Sequence, residues 1–145
     1  MPEPQRHWDD VTQGDELQAL KKQPTPQQLV MWAGAQPDFN PIHYDPGAAQ
    51  AQGLPDRIVH GTLKFAFLGQ VVHEWMGYEG RIKRLECSYR GTDPVNGEIT
   101  IKGVVSRKYE DSGEHLVDLD LWTENGQGQK TTPGTAVVRL PKRLG

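Results

Sequence analysis

The stretch 61–76 admits few structures. Leu63, Phe65, Ala66, Phe67, Leu68, Val71, Val72, Trp75 and Met76 leave almost no polar face if the segment is helical. A surface helix carries its apolar residues as a stripe, so one that is apolar nearly all round has to be enclosed by other elements. Gly77 supplies the stop such a helix needs. The period then changes. Leu85, Cys87 and Tyr89 alternate with Glu86, Ser88 and Arg90; Ile99 and Ile101 alternate with Thr100 and Lys102. Leu119 and Leu121 alternate with Asp118 and Asp120; Ala136, Val138 and Leu140 alternate with Val137 and Arg139. A period of two marks strands with one buried face. Asn96-Gly97, Asp111-Ser112-Gly113 and Asn125-Gly126 read as turns between them. The pattern predicts four antiparallel strands in a meander, with a weak first strand over 15–22, wrapped round one enclosed helix. That is an α+β layer, a sheet curled on a helix.

Upstream the chain is more broken. Residues 1–13 are polar and proline-flanked and read as a loosely tied arm. A short helix is predicted over 26–33, with Thr25 as cap, Pro26 at the first position, Gln28 completing a capping box and Gly34 as the stop. Residues 34–58 carry Pro37, Pro41, Pro46, Gly53 and Pro55, which exclude any long element. Within them Asp45-Pro46 opens one short capped helical turn ending at Gly53. The chain holds 16 glycines and 11 prolines among 145 residues, above the usual share of about 12%. Their concentration in one irregular segment and in turns points to a shaped loop rather than disorder.

Composition narrows the function. A length of 145 residues suits a single domain. A net charge of −3 argues against a nucleic-acid partner, which would need a basic face. The lone Cys87 excludes an internal disulfide and a multi-cysteine zinc site. No apolar run approaches the ~18 residues of a membrane span, and the first residues do not resemble a signal peptide. The expectation is a soluble, cytoplasmic protein that uses no membrane.

The chemistry sits in Asp38-Phe39-Asn40-Pro41-Ile42-His43-Tyr44-Asp45-Pro46 and in Ile58-Val59-His60-Gly61. Pro41 between the acid and the imidazole removes the helical option, so a bent path can aim both side chains at one point. Gly61 opens the long helix, where an amide has no intrahelical acceptor and the helix dipole stands behind it. Such an amide suits a developing oxyanion.

These two motifs together resemble the MaoC-like, or type-2 (R)-specific, enoyl-thioester hydratase family. The likeness runs from Asp15 to about Leu140 and takes in the lead-in Leu29-Val30-Met31-Trp32-Ala33-Gly34. The resemblance implies the hot-dog fold, a curved antiparallel sheet around a long central helix. It implies hot-dog pairs, as homodimer or heterodimer, with acyl tunnels at the contact. It implies an acyl-CoA or acyl-carrier-protein thioester as substrate, with no cofactor and no metal. Asp38 and His43 become the acid/base pair and Gly61 the oxyanion donor. Asn40 orients the loop or one member of the pair. Histidine is the side chain suited to taking a proton near neutral pH. His60 is expected to fix the loop before the helix, and it stands with Asn40, Arg57 and Gly69 as a candidate around the substrate. Some short-chain members carry serine where Gly69 stands, so Gly69 is read as roomier tunnel wall. Thr62 replaces a frequent methionine.

Each residue also has a plainer reading. Asp38 alone would be a turn residue and His43 a surface histidine; the joint motif favours chemistry. Asp45 is read as a helix cap, and His73 and Trp75 as packing. Cys87 is read as a buried small hydrophobe, and His7 and His115 as surface residues. The run Arg81-Ile82-Lys83-Arg84 is a solvated strand face, or a contact for CoA phosphates. A metal held by Asp38, His43, Asp45 and His60 is chemically allowed but not imposed by the spacing. Two rival functions remain: an acyl-binding partner in a heteromeric dehydratase, and a hot-dog thioesterase. No second carboxylate near the start of the enclosed helix supports the thioesterase.

Overall fold

The computed structural model describes residues 4–145. Its elements in chain order are β1 (Leu20–Lys22), α1 (Pro26–Ala35), α2 (Pro46–Ala51), α3 (Gly61–Met76), β2 (Arg81–Cys87), β3 (Ile99–Asp111), β4 (Glu114–Glu124) and β5 (Lys130–Arg139). Short 3-10 turns at Trp8–Asp10 and Pro41–His43 complete them.

The apolar helix forms, but it is enclosed on one face only: Phe65, Ala66 and Gly69 are half-buried, and His73, expected to pack, is exposed. Leu63, Phe67, Leu68, Val71, Val72, Trp75 and Met76 of α3 are buried. They meet Ile99, Ile101 and Val105 of β3, Leu119 and Leu121 of β4, and Ala136 and Val138 of β5 in one core. Full burial of a side chain of this size contributes about 1.5–3 kcal/mol. Gly77 caps the helix with φ +80°, a conformation that favours glycine.

The sheet is antiparallel in the order β1-β3-β4-β5-β2. This corrects the expected meander. Only β3, β4 and β5 follow one another; β2 lies beyond β5, with Arg81 facing Arg139 and Cys87 facing Gly134. Alternation shows which face a strand buries and says nothing about its neighbour. Asn96-Gly97 is still a turn, with Asn96 at φ +66° and the Gly97 amide donating to the Pro94 carbonyl. It joins strands that do not pair. Ser112-Gly113 is a true hairpin turn, both residues having positive φ as a tight two-residue hairpin requires. Strand β1 is shorter than expected, although Glu16 also bridges to Val104.

Three local expectations also change. Helix α1 runs two residues further, to Ala35, so Gly34 lies inside it and Gln36 is the cap. The Thr25 hydroxyl does cap the Gln28 amide. The arm, from residue 4 on, is docked rather than loose: the Trp8 amide donates to the Pro141 carbonyl at 2.9 Å and its indole to the Leu116 carbonyl at 3.1 Å. Residues 1–3 lie outside the described residues. No helix among the described residues is long and apolar enough to cross a membrane.

Candidate active site

The loop between α1 and α3 folds back on the start of α3. Asn40 Oδ1 accepts from the Ile42 amide, which turns the chain through Pro41 into the 3-10 turn that ends at His43. Asp45 then caps α2 through the Gly47 and Ala48 amides, as expected of it. Between these two caps His43 is carried inward.

His43 Nδ1 lies 2.8 Å from the Ile58 carbonyl oxygen. A carbonyl only accepts, so Nδ1 carries the hydrogen. In the neutral ring the lone pair is then on Nε2, which lies 3.9 Å from Asp38 Oδ2. Asp38 keeps 41% of its side chain exposed and His43 only 8%, so solvent reaches the pair from the acid's side. The Asp38 carboxylate also accepts from the Asn40 amide at 3.4 Å.

His60 is completely buried. Its ring stacks on that of His43 with centroids 3.7 Å apart and 19° between planes. Its Nε2 lies 3.4 Å from the Asp38 carbonyl oxygen, and its Nδ1 has no partner among the described residues. Burial, and then the neighbouring His43, hold the His60 ring below the ordinary histidine range. The next residue, Gly61, starts α3 with its amide free of any intrahelical acceptor. Space explains the glycine: a Cβ there would stand 2.9 Å from Cε1 and 3.0 Å from Cδ1 of Tyr89.

Donor atoms of Asp38, His43 and His60 fall within 4.8 Å of one another, a set that could suit zinc. The near-parallel stack aims the in-plane lone pairs of the two rings side by side rather than at a common point, which fits a metal poorly.

The other candidates stand apart from this cluster. Arg57 pairs with its neighbour Asp56 at 3.2 Å, and its carbonyl accepts the Val95 amide. Gly69 lies further along α3, where a Cβ would be in ordinary contact with Leu85 at 3.6 Å. The Thr62 hydroxyl accepts the Trp32 indole N–H at 2.9 Å and ties α1 to the head of α3.

A groove of about 970 Å³ opens beside β2, lined by Phe65, Leu85, Cys87, Tyr89 and Leu121 and also by charged Arg90, Asp120 and Lys130. Asp38, His43 and Gly61 are not in its wall; Tyr89, which packs on Gly61, is the link. Cys87 is therefore half-buried at a groove rather than lost in the core. Burial pushes its thiol up, so it is no thiolate nucleophile.

Sequence reasoning missed what holds this end together. Lys64, on the second turn of α3, is buried. Its ammonium donates to Asp93 Oδ2 at 2.8 Å and to the Gly91 carbonyl at 3.0 Å. The Thr131 hydroxyl donates to the same Asp93 oxygen at 2.7 Å, and the Asp93 carbonyl accepts the Val59 amide at 2.8 Å. A lysine among the apolar residues of the first half of α3 was the available signal.

A curled antiparallel sheet closed on a central helix places the chain among the hot-dog proteins. It superposes on the (R)-hydratase from A. caviae involved in PHA biosynthesis with a TM-score of 0.84 at 25% identity, covering 91% of this chain and 98% of that one. It shares the fold of the ChsH1-ChsH2 complex from Mycobacterium tuberculosis at a TM-score of 0.79 and 24% identity, covering 90% of this chain and 98% of that one. More particularly, the MaoC like domain model matches residues 6–121, and the chain belongs to that family. By sequence it is 28% identical to an (R)-specific enoyl-CoA hydratase of Aeromonas caviae over 79% of this chain and 84% of the relative. It is 26% identical to the enzyme of the same name from Rhodospirillum rubrum, over 70% and 74%.

Proposed function

We propose that this chain catalyses the reversible syn addition of water to a trans-2-enoyl thioester, giving the (R)-3-hydroxyacyl thioester. The carrying observation is His43. Its Nδ1–H is committed to a main-chain carbonyl, its Nε2 faces the half-exposed Asp38 carboxylate, and its ring stacks on His60, the residue before the helix-start amide of Gly61.

A water held between Asp38 and His43 gives a proton to His43 Nε2 as its oxygen bonds to C3. Electron density moves from the double bond onto the thioester oxygen, which the Gly61 amide stabilises. The proton held by the pair then passes to C2, the enolate reverts to the thioester, and both side chains end as they began. General acid–base assistance supplies about 10²–10⁴-fold, and one oxyanion donor about 2.7–4 kcal/mol. The acyl chain would lie in the groove beyond Tyr89, borne on CoA or on a carrier protein. That groove is open along β2, so a second hot-dog chain, identical or not, would close it.

The test follows loss of enoyl absorbance with trans-2-enoyl-CoAs of several chain lengths. Asp38→Asn and His43→Ala should each lower kcat by about 10²–10⁴-fold. Normal turnover by either variant rejects the assignment. A purified chain that turns over nothing until a second hot-dog chain is added would favour the alternative, an acyl-binding subunit of a heteromeric dehydratase.

A further inference from the structure

The catalytic pair leaves one group of this site without a task. His60 has no exposed surface, so its ring cannot touch a substrate. It lies flat on the base, at 3.7 Å and 19°. Its Nε2–H points to the main-chain oxygen of the acid, Asp38, at 3.4 Å.

We infer that His60 is a positioning residue whose uncharged ring face supports the positive charge His43 acquires when it takes the proton of water. The inference rests on the hydration reading of the preceding section. An aromatic face attracts a cation within about 6 Å of its centroid, most strongly where water is excluded. Here the face belongs to a ring held neutral by its burial, so the stacked partner is attracted rather than repelled when it becomes an imidazolium. The attraction grows as the proton moves. It therefore stabilises the transition state more than the resting enzyme, which is the condition for raising kcat rather than lowering KM.

The alternative is that His60 only fills space before α3. A ring and an aliphatic side chain separate the two. His60→Phe keeps the face and leaves no unpaired nitrogen in the core. His60→Leu fills the site without a face, and His60→Asn keeps a polar contact without one. With trans-2-enoyl-CoA, His60→Phe should retain kcat within about threefold, while His60→Leu and His60→Asn should lose about tenfold in kcat at unchanged KM. Thermal melts of all three identify any variant that fails to fold, and the remaining aliphatic or amide variant then carries the comparison with Phe.

A second readout does not depend on turnover. The titratable side chains placed against His43 are Asp38 at 3.9 Å and His60 in the stack. In ring-nitrogen NMR spectra, the Leu variant should need a more acidic solution than the Phe variant to protonate His43. If the rates and spectra of the Leu and Phe variants coincide while the unaltered protein is active, the inference is wrong and the hydration reading stands. If no enoyl thioester is turned over but the spectra differ, the hydration reading is wrong and the catalytic role of the stack falls with it, while the support of a charged His43 by the ring face stands.

Discussion

The site depends on which nitrogen of each histidine carries its proton. His43 donates from Nδ1 to Ile58 and keeps Nε2 for the acid. His60 donates from Nε2 to Asp38 and leaves Nδ1 buried without a partner. Because burial lowers the proton affinity of folded His60 below its ordinary value near 6.5, the unfolded chain takes up a proton that the folded chain refuses. Stability is therefore full above about pH 6.5 and falls as the solution becomes more acidic. The lowered carboxyls Asp9, Asp10, Asp56 and Glu124 act in a different window, since their ordinary values are 3.8 or 4.5. Urea midpoints between pH 6.5 and pH 5 should fall in the unaltered protein and fall less in His60→Phe; equal slopes would contradict this. At this scale much was legible in the sequence. Asp38, His43 and Gly61 could be singled out because Pro41 and the head of a helix limit where those groups point. The stack of His60 on His43 could not, since it depends on a chain reversal between them. Tyr89 at Gly61 was equally hidden, because the contact joins the head of α3 to the segment just past β2.

Among the elements, the head of α3 is held by an ion pair that no periodicity reveals. Lys64 and Asp93 are both buried, and Asp93 also anchors Val59, just before His60. Removing one partner of such a pair costs about 3–5 kcal/mol, because the other charge is left uncompensated. Lys64→Met should lower stability by that order in urea unfolding, and adding Asp93→Asn should return part of it. A double variant no better than the single one would show that the charge was not the cause. The α3 pattern foretold a buried helix for one face only, since Phe65, Ala66 and Gly69 are half-buried and His73 is exposed. Period two placed the long strands on their faces except at Tyr89, which lies past β2 and is exposed. The neighbour of β2 was beyond reach for a physical reason. Edge position is decided by how the ends of the sheet close on α3, and any strand with one apolar face satisfies its own sequence on either side.

For the whole molecule, the open groove along β2 is the feature behind the proposed pairing of two chains. Leu85, Cys87 and Tyr89 stand at an edge strand that pairs on one side only, with β5. Unpaired edges of this kind invite a second chain. A self-pair should give a solution mass of about twice 16.2 kDa, measured by light scattering; full hydratase activity from a species of single mass would overturn the need for a partner. The docked arm is satisfied within the chain, since the Trp8 indole donates to the Leu116 carbonyl of β4 and Asp10 pairs with Arg143. The position of β2 also reaches into how the molecule is made. Arg81 waits for Arg139 and Cys87 for Gly134, so each β2 bond closes a long loop, and such closures are slow. On the ribosome α3 is complete well before β5 exists. The most apolar segment of the chain therefore spends the longest time without its cover, and the yield of folded protein should depend on how well the cell shields that helix until the last strand emerges.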